Sequence, residues 1–212
     1  MDDRIHVVLA DPDALLRSGL RALMELEPDL RVVGEADTGE GAILQVCVLR
    51  PQVVLMDLDG PGMDGLEATR RITATSRPPA VLFLTCDDER ECLFRLFAAG
   101  GHGHVQKTQA DEQVTEAVRT AARGEVFLSP SAIRHVLLKH RAALARGRSA
   151  PPQGLTEDEE RVVRLAAQGY PAPRIASTVG MGADRVRACR TAALRKLGLG
   201  RREELAGLAA VG

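Results

Sequence analysis

Apolar residues in the first half of the chain fall into short solid runs, and between the runs they recur every three or four positions. Ile5 to Ala10 is one such run, predicting a strand that Asp11 ends. Leu15, Leu16, Leu20, Leu23 and Met24 then keep helical spacing across Asp13 to Glu27, stopping near Pro28. The same alternation predicts a strand at Arg31 to Ala36, a helix at about Glu40 to Leu49 after Thr38 as N-cap, and a strand at 53–57. It continues with a helix from Asp64 to about Thr73, a strand at Ala80 to Leu84 and a helix at Asp88 to Ala99. A short strand near His104 to Gln106 and a helix at Asp111 to Arg123 complete it. Strands alternating with helices imply α/β architecture with a parallel, doubly wound sheet.

The pattern changes beyond Ser129. Ile133 to Leu144 predicts a basic helix, with no acid between Ser129 and Gly154, and the Pro151-Pro152 pair ends a flexible linker. At Thr156-Glu-Asp-Glu159 a capping box opens a helix with Val162, Val163, Leu165 and Ala166 on its apolar face, closed by Gly169. A short helix at about Pro173 to Val179 and a Gly180-Met-Gly182 turn lead to a longer helix, Ala183 to Leu197. Val186, Cys189, Ala193 and Leu197 form its inward face; Arg187, Ala188, Thr191 and Arg195 face the other way, flanked by Arg185 and Arg190. This is a helix-turn-helix whose second helix suits a major groove. The expected domains are 1–128, a linker at 129–154, and 155–212.

Charge separates the halves. Residues 1–128 carry net −9 and residues 129–212 net +8, although the whole chain is at −1. Residues 161–202 hold ten basic side chains and a single acid, Asp184. A polyanion is the natural partner, an ordinary solvated surface the bland alternative. No run approaches a membrane span, and the acidic start enters a strand at once, so a cytoplasmic protein is expected. Cys47, Cys86, Cys92 and Cys189 lack metal-ligand spacing and read as reduced packing residues.

Candidate chemistry concentrates at Val53-Val-Leu-Met-Asp57-Leu-Asp59-Gly-Pro-Gly-Met-Asp64-Gly65. A carboxylate at the end of a buried strand sits where open α/β sheets bind ligands. Three readings compete. Asp57 accepts a phosphoryl group; or Asp57 and Asp59 serve a haloacid-dehalogenase-type phosphatase, whose motif wants Thr where Pro61 stands; or Gly60-x-Gly62-x-x-Gly65 binds a dinucleotide. In a parallel sheet Asp11, Asp57, Thr85 and Lys107 converge on one edge, which favours phosphoryl chemistry.

With Asp11, Met56 to Gly65, Thr85 and Gly103-His-Val-Gln-Lys107 in place, residues 4–124 resemble a response-regulator receiver domain. Residues 155–206 resemble the LuxR/NarL-type DNA-binding domain, carried by Leu155-Thr156, Glu159, Val163, Leu165, Gly169, Ile175-Ala176, Val186 and Leu194 to Leu199. The resemblance implies a flavodoxin-like five-stranded receiver followed by an all-α helix-turn-helix domain, a regulator rather than an enzyme. It implies Asp57 as phosphoacceptor, Thr85 and Lys107 as sensors of the phosphoryl group, and Mg²⁺ held by Asp11, Asp57 and the Asp59 carbonyl. It also implies a sensor histidine kinase, double-stranded DNA and a second copy of the chain as partners. Arg187, Ala188 and Thr191 would face base edges, Arg185, Arg190 and Lys196 would hold phosphates, and Arg195 would belong to the DNA-binding face. The departures are specific. Pro12 stands where a second metal-binding acid is usual, leaving Asp13 as substitute and Mg²⁺ weakened or absent. His104 replaces an aromatic switch residue and is expected either to serve as the switch itself or to be a tolerated, exposed imidazole on the output face. A receiver that works without phosphate, as a dimerisation or ligand-sensing module, is the alternative that Pro12 favours.

Overall fold

The computed structural model describes residues 3–86, 93–134, 137 and 155–199. Contacts divide the chain into two units, Met1–Phe127 and Leu128–Gly212.

Strands β1 (Ile5–Ala10), β2 (Leu30–Ala36), β3 (Val53–Asp57), β4 (Ala80–Thr85) and β5 (Gly103–Gln106) form one parallel sheet in the order β2-β1-β3-β4-β5. Helices α1 (Ala14–Glu25), α2 (Gly39–Leu49), α3 (Gly65–Thr73), α4 (Leu93–Ala98) and α5 (Ala110–Ala122) alternate with them. The apolar runs are solid because both faces of the sheet are covered. Val7, Leu9, Val53, Leu55, Leu82 and Leu84 pack in one layer with α1 and α5, whereas Val8, Ala10, Val54, Met56, Val81 and Phe83 pack in the other with α2 and α3. Successive side chains of a strand point to opposite faces, so an unbroken apolar run is what two cores require. Arg119 of α5 clamps the turn before β2, reaching Asp29 at 2.7 and 2.8 Å and Glu27 at 2.6 Å.

Apolar character does not always mean burial. In α2, Ala42 and Val46 are buried while Leu44 and Val48 remain exposed. Cys47 and Cys86 are also exposed, which corrects their reading as packing residues; Cys189 is half-buried, and Cys92 lies outside the described residues. The helix expected at Asp88 to Ala99 is described only over Leu93–Ala98.

In the second unit, Ser129 accepts a hydrogen bond from the Ala132 N–H (3.2 Å) at the start of a helical stretch, 130–134, in which Ala132 and Ile133 are buried. The head of the expected linker is thus packed; residues 138–154, with most of the predicted Ile133 to Leu144 helix, lie outside the described residues. Helices α6 (Glu157–Ala166), α7 (Ala172–Val179) and α8 (Ala183–Leu194) follow, the last running into a wider π-type turn at Arg195–Leu199. Both halves of the capping box form: the Glu159 N–H donates to the Thr156 hydroxyl (3.3 Å) and the Thr156 N–H to the Glu159 carboxylate (2.7 Å). Val162, Val163, Ile175, Val186, Ala193 and Leu194 supply the buried apolar side chains. Among the described residues no helix is long and apolar enough to cross a membrane.

Candidate functional site

Parallel register carries four strand ends to one edge. Asp57 closes β3 opposite Leu84, and Thr85 follows at the end of β4 opposite Gln106, immediately before Lys107. Asp11 follows β1, its N–H bonded to the Ala36 carbonyl (3.1 Å) and its own carbonyl held by Arg17 at 2.5 Å. The Lys107 ammonium lies 2.8 Å from Asp11 Oδ2 and 2.8 Å from Asp57 Oδ1. One cation therefore bridges two carboxylates that are both almost entirely out of water. The Thr85 hydroxyl is buried with no hydrogen-bond partner among the described residues, so it has capacity to donate that the resting chain does not use.

Electrostatics follow from that sharing. Burial pushes the Asp57 carboxyl above the usual carboxylate range; the Lys107 hydrogen bond opposes this, and the negative charge of Asp11 adds to it. Burial works against the Lys107 charge too, but its two carboxylates outweigh it and keep the ammonium protonated. An acid with a raised folded-state value binds its proton more tightly when folded than when unfolded. Its contribution to stability is therefore lost as pH rises from about 3.9, the unfolded value, through the raised folded one. Asp57→Asn is accordingly expected to raise the urea midpoint of the first unit at neutral pH and to flatten that pH dependence. Urea denaturation at pH 4 and pH 7 measures both.

The pocket beside Asp57 is lined by Asp11, Pro12, Asp37, Gly60, Met63 and Gly65, and its free space is about 10 Å³, room for about one water. Asp37 was not singled out by sequence. The rule that selected Asp11 and Asp57 could have found it, since it follows the last residue of β2. Asp59 is exposed. Asp13 is engaged elsewhere: its Oδ1 accepts from Leu15 N–H (2.8 Å) and Leu16 N–H (3.2 Å), capping α1, so it does not substitute for the missing acid. His104, paired with Phe83 in β5, is fully buried, which corrects the expectation of an exposed ring; packing by neighbouring elements, invisible in the local pattern, encloses it.

Mg²⁺ favours six oxygens in near-octahedral array. Here Pro12 lines the pocket with carbon, Asp13 caps a helix, Lys107 contacts both buried acids, Asp11 and Asp57, and Asp37 at the rim is exposed. Among the described residues, no group of three or more His, Cys, Asp or Glu side chains is arranged to hold an ion. The described residues do not fit a resident divalent cation.

In the second unit α8 presents Arg185, Arg187 and Ala188 to solvent, with Arg195 exposed just beyond its end; Arg190 and Thr191 are half-buried. Arg187 pairs with Asp184 and Arg185 with Asp158 (3.2 Å). Exposed pairs of this kind are worth about 0–1 kcal/mol and exchange readily for phosphate. Lys196, expected at a phosphate, instead donates to Glu159 (2.8 Å) with both side chains largely buried.

Residues 7–119 match the family described as the response regulator receiver domain. The chain is 31% identical over 205 residues to the oxygen regulatory protein NreC of Staphylococcus carnosus, covering 95% of this chain and 94% of NreC. It is 34% identical over 166 residues to the transcriptional regulatory protein LiaR of Bacillus subtilis, covering 78% of this chain and 77% of LiaR. A crystal structure of the response regulator ChrA of a heme-sensing two-component system superimposes with TM-score 0.53 at 26% identity, over 99% of this chain and 98% of ChrA.

Proposed function

The chain belongs to the two-component response regulators of the NarL/LuxR type, and from that premise we propose that Asp57 is the phosphoacceptor that switches a DNA-binding transcriptional regulator. The observation that carries this reading is the pairing of the Asp57–Lys107 contact (2.8 Å) with a buried Thr85 hydroxyl that has no partner among the described residues, at the next strand end. A carboxylate oxygen of Asp57 attacks the phosphorus of a phosphohistidine on a sensor kinase. The P–N bond breaks as a P–O bond forms, and the imidazole leaves with a proton from solvent. Lys107 offsets charge on the transferred group, and the Thr85 hydroxyl donates to one of its oxygens. Movement of Thr85 towards that oxygen biases the packing around it, the local event such switches amplify. Two copies of the chain, each placing α8 in a major groove, would read paired half-sites.

Intact mass after incubation with acetyl phosphate and Mg²⁺ tests the switch. The wild type is expected to gain one phosphoryl group and Asp57→Asn none. A second reading, a receiver that works without phosphate, is favoured by the Pro12 ring in the pocket. A wild type that stays unmodified while Pro12→Asp gains the adduct would establish it instead.

A further inference from the structure

We infer that the Lys107 ammonium is the resident cation of the acid pocket, and that the free chain takes up no divalent metal ion there. The inference rests on the pocket being the switch site, and concerns its state before any phosphodonor arrives.

Three features converge on it. Among the described residues the pocket has two buried carboxylates, Asp11 and Asp57, and a single ammonium contacts both at 2.8 Å. Lys107 cannot easily swing away, because it opens the turn Lys107–Gln109 directly after β5 and its side chain is only 17% exposed. Among the described residues the pocket has no third buried carboxylate: Asp37 lines it too, but is exposed. Pro12 lines the space with carbon, and the nearest acid in sequence, Asp13, holds the first turn of α1. Asp11 is fixed as well: its Oδ1 accepts from the Asp13 N–H (2.8 Å) while Oδ2 meets Lys107.

Charge arithmetic agrees with the geometry. The buried groups Asp11, Asp57 and Lys107 sum to about one negative charge, and the exposed Asp37 at the rim adds one that solvent screens, a weak lure for an ion that sheds its waters reluctantly. To enter, Mg²⁺ would have to displace the ammonium and leave it inside the same low-dielectric site, where like charges repel. A third acid raises the local charge by one and gives the ion a ligand that Lys107 does not already hold.

Titration calorimetry of the full chain with MgCl₂, repeated with Mn²⁺ by water-proton relaxation, measures uptake directly. The wild type is expected to show no saturable one-to-one binding and the same thermal midpoint in EDTA as in excess Mg²⁺. Pro12→Asp is expected to acquire a saturable site, with affinity up at least about tenfold and a midpoint that rises with Mg²⁺. Lys107→Gln, which vacates the pocket without touching the turn of Pro12, is expected to gain Mg²⁺ affinity as well. Saturable uptake by the wild type that Asp57→Asn abolishes would overturn the inference, and so would a folded Lys107→Gln that binds no better than wild type. Binding is read without phosphorylation. A missing phosphoryl adduct therefore leaves this inference standing, whereas Mg²⁺ uptake defeats it without touching the assignment of Asp57.

Discussion

Gly65→Ala is expected to cost the first unit about 3 kcal/mol and to abolish phosphoryl uptake at Asp57. A Cβ on Gly65 would lie 2.2 Å from the Asp57 carbonyl oxygen, 3.1 Å from its carbon and 3.2 Å from Leu58 Cα. All three are backbone atoms, so no rotamer change relieves the clash. The start of α3 must therefore lift away from the end of β3, breaking the bond from the Gly65 N–H to the Leu58 carbonyl (3.2 Å) and displacing the residue that carries the chemistry. Gly124→Ala is the control. Gly124 has φ +73° and open space around it, so its substitution costs only the left-handed backbone preference, about 1 kcal/mol, and leaves the pocket alone. Urea midpoints and intact mass for the two variants separate close approach from backbone conformation. Equal costs would mean that the contact between β3 and α3 does not hold Asp57 in place.

Much of this arrangement is legible in sequence because the physics behind it is local or topological. Val53 to Met56 could be read as a doubly covered strand since the run is short, β-branched at Val53 and Val54, and followed by a glycine-rich turn. The convergence of Asp11, Asp57 and Lys107 needed only the rule that parallel strands joined by helices share a carboxyl edge, and the 2.8 Å contacts agree with it. The capping box at Thr156 is a four-residue pattern and formed as read. What could not be read depends on distant neighbours. Asp13 satisfied two local descriptions, a helix cap and a spare ligand, and only the placement of the α1 amides decides for the cap. His104 looked like an exposed ring because it stands at the switch position that the resembled family places on its output face, yet it is wholly enclosed. Leu44 and Val48 show the converse: α2 carries apolar residues on both faces, so periodicity alone gave no indication of which face the sheet would cover.

Lys196 is the clearest case of a contact that sequence conceals, and it yields the second large effect. The ammonium belongs to the basic run after α8, which invites a role at DNA phosphates, but its partner Glu159 stands 37 residues away in α6. Burial pushes the Glu159 carboxyl upward; the hydrogen bonds from Lys196 and Thr156 outweigh it, so the value falls below the ordinary carboxylate range. A lowered folded-state value means stability fully present above the unfolded value of about 4.3 and lost as pH falls through the folded one. Lys196→Met removes the cation and leaves a carboxylate largely buried beside a helix cap. Breaking one partner of a buried pair costs about 3–5 kcal/mol; the residual exposure of both side chains lowers the expectation to about 2–3 kcal/mol. The second unit should then unfold earlier in urea at pH 7 and lose most of its acid sensitivity below about 4.3, the unfolded carboxyl value. The salt dependence of DNA binding by the molecules still folded should not change. Arg195→Ala should do the reverse, keeping the urea midpoint and reducing the salt slope by about one phosphate contact. A Lys196→Met chain of unaltered stability with a shallower salt slope would return Lys196 to the DNA and leave Glu159 to the capping box alone.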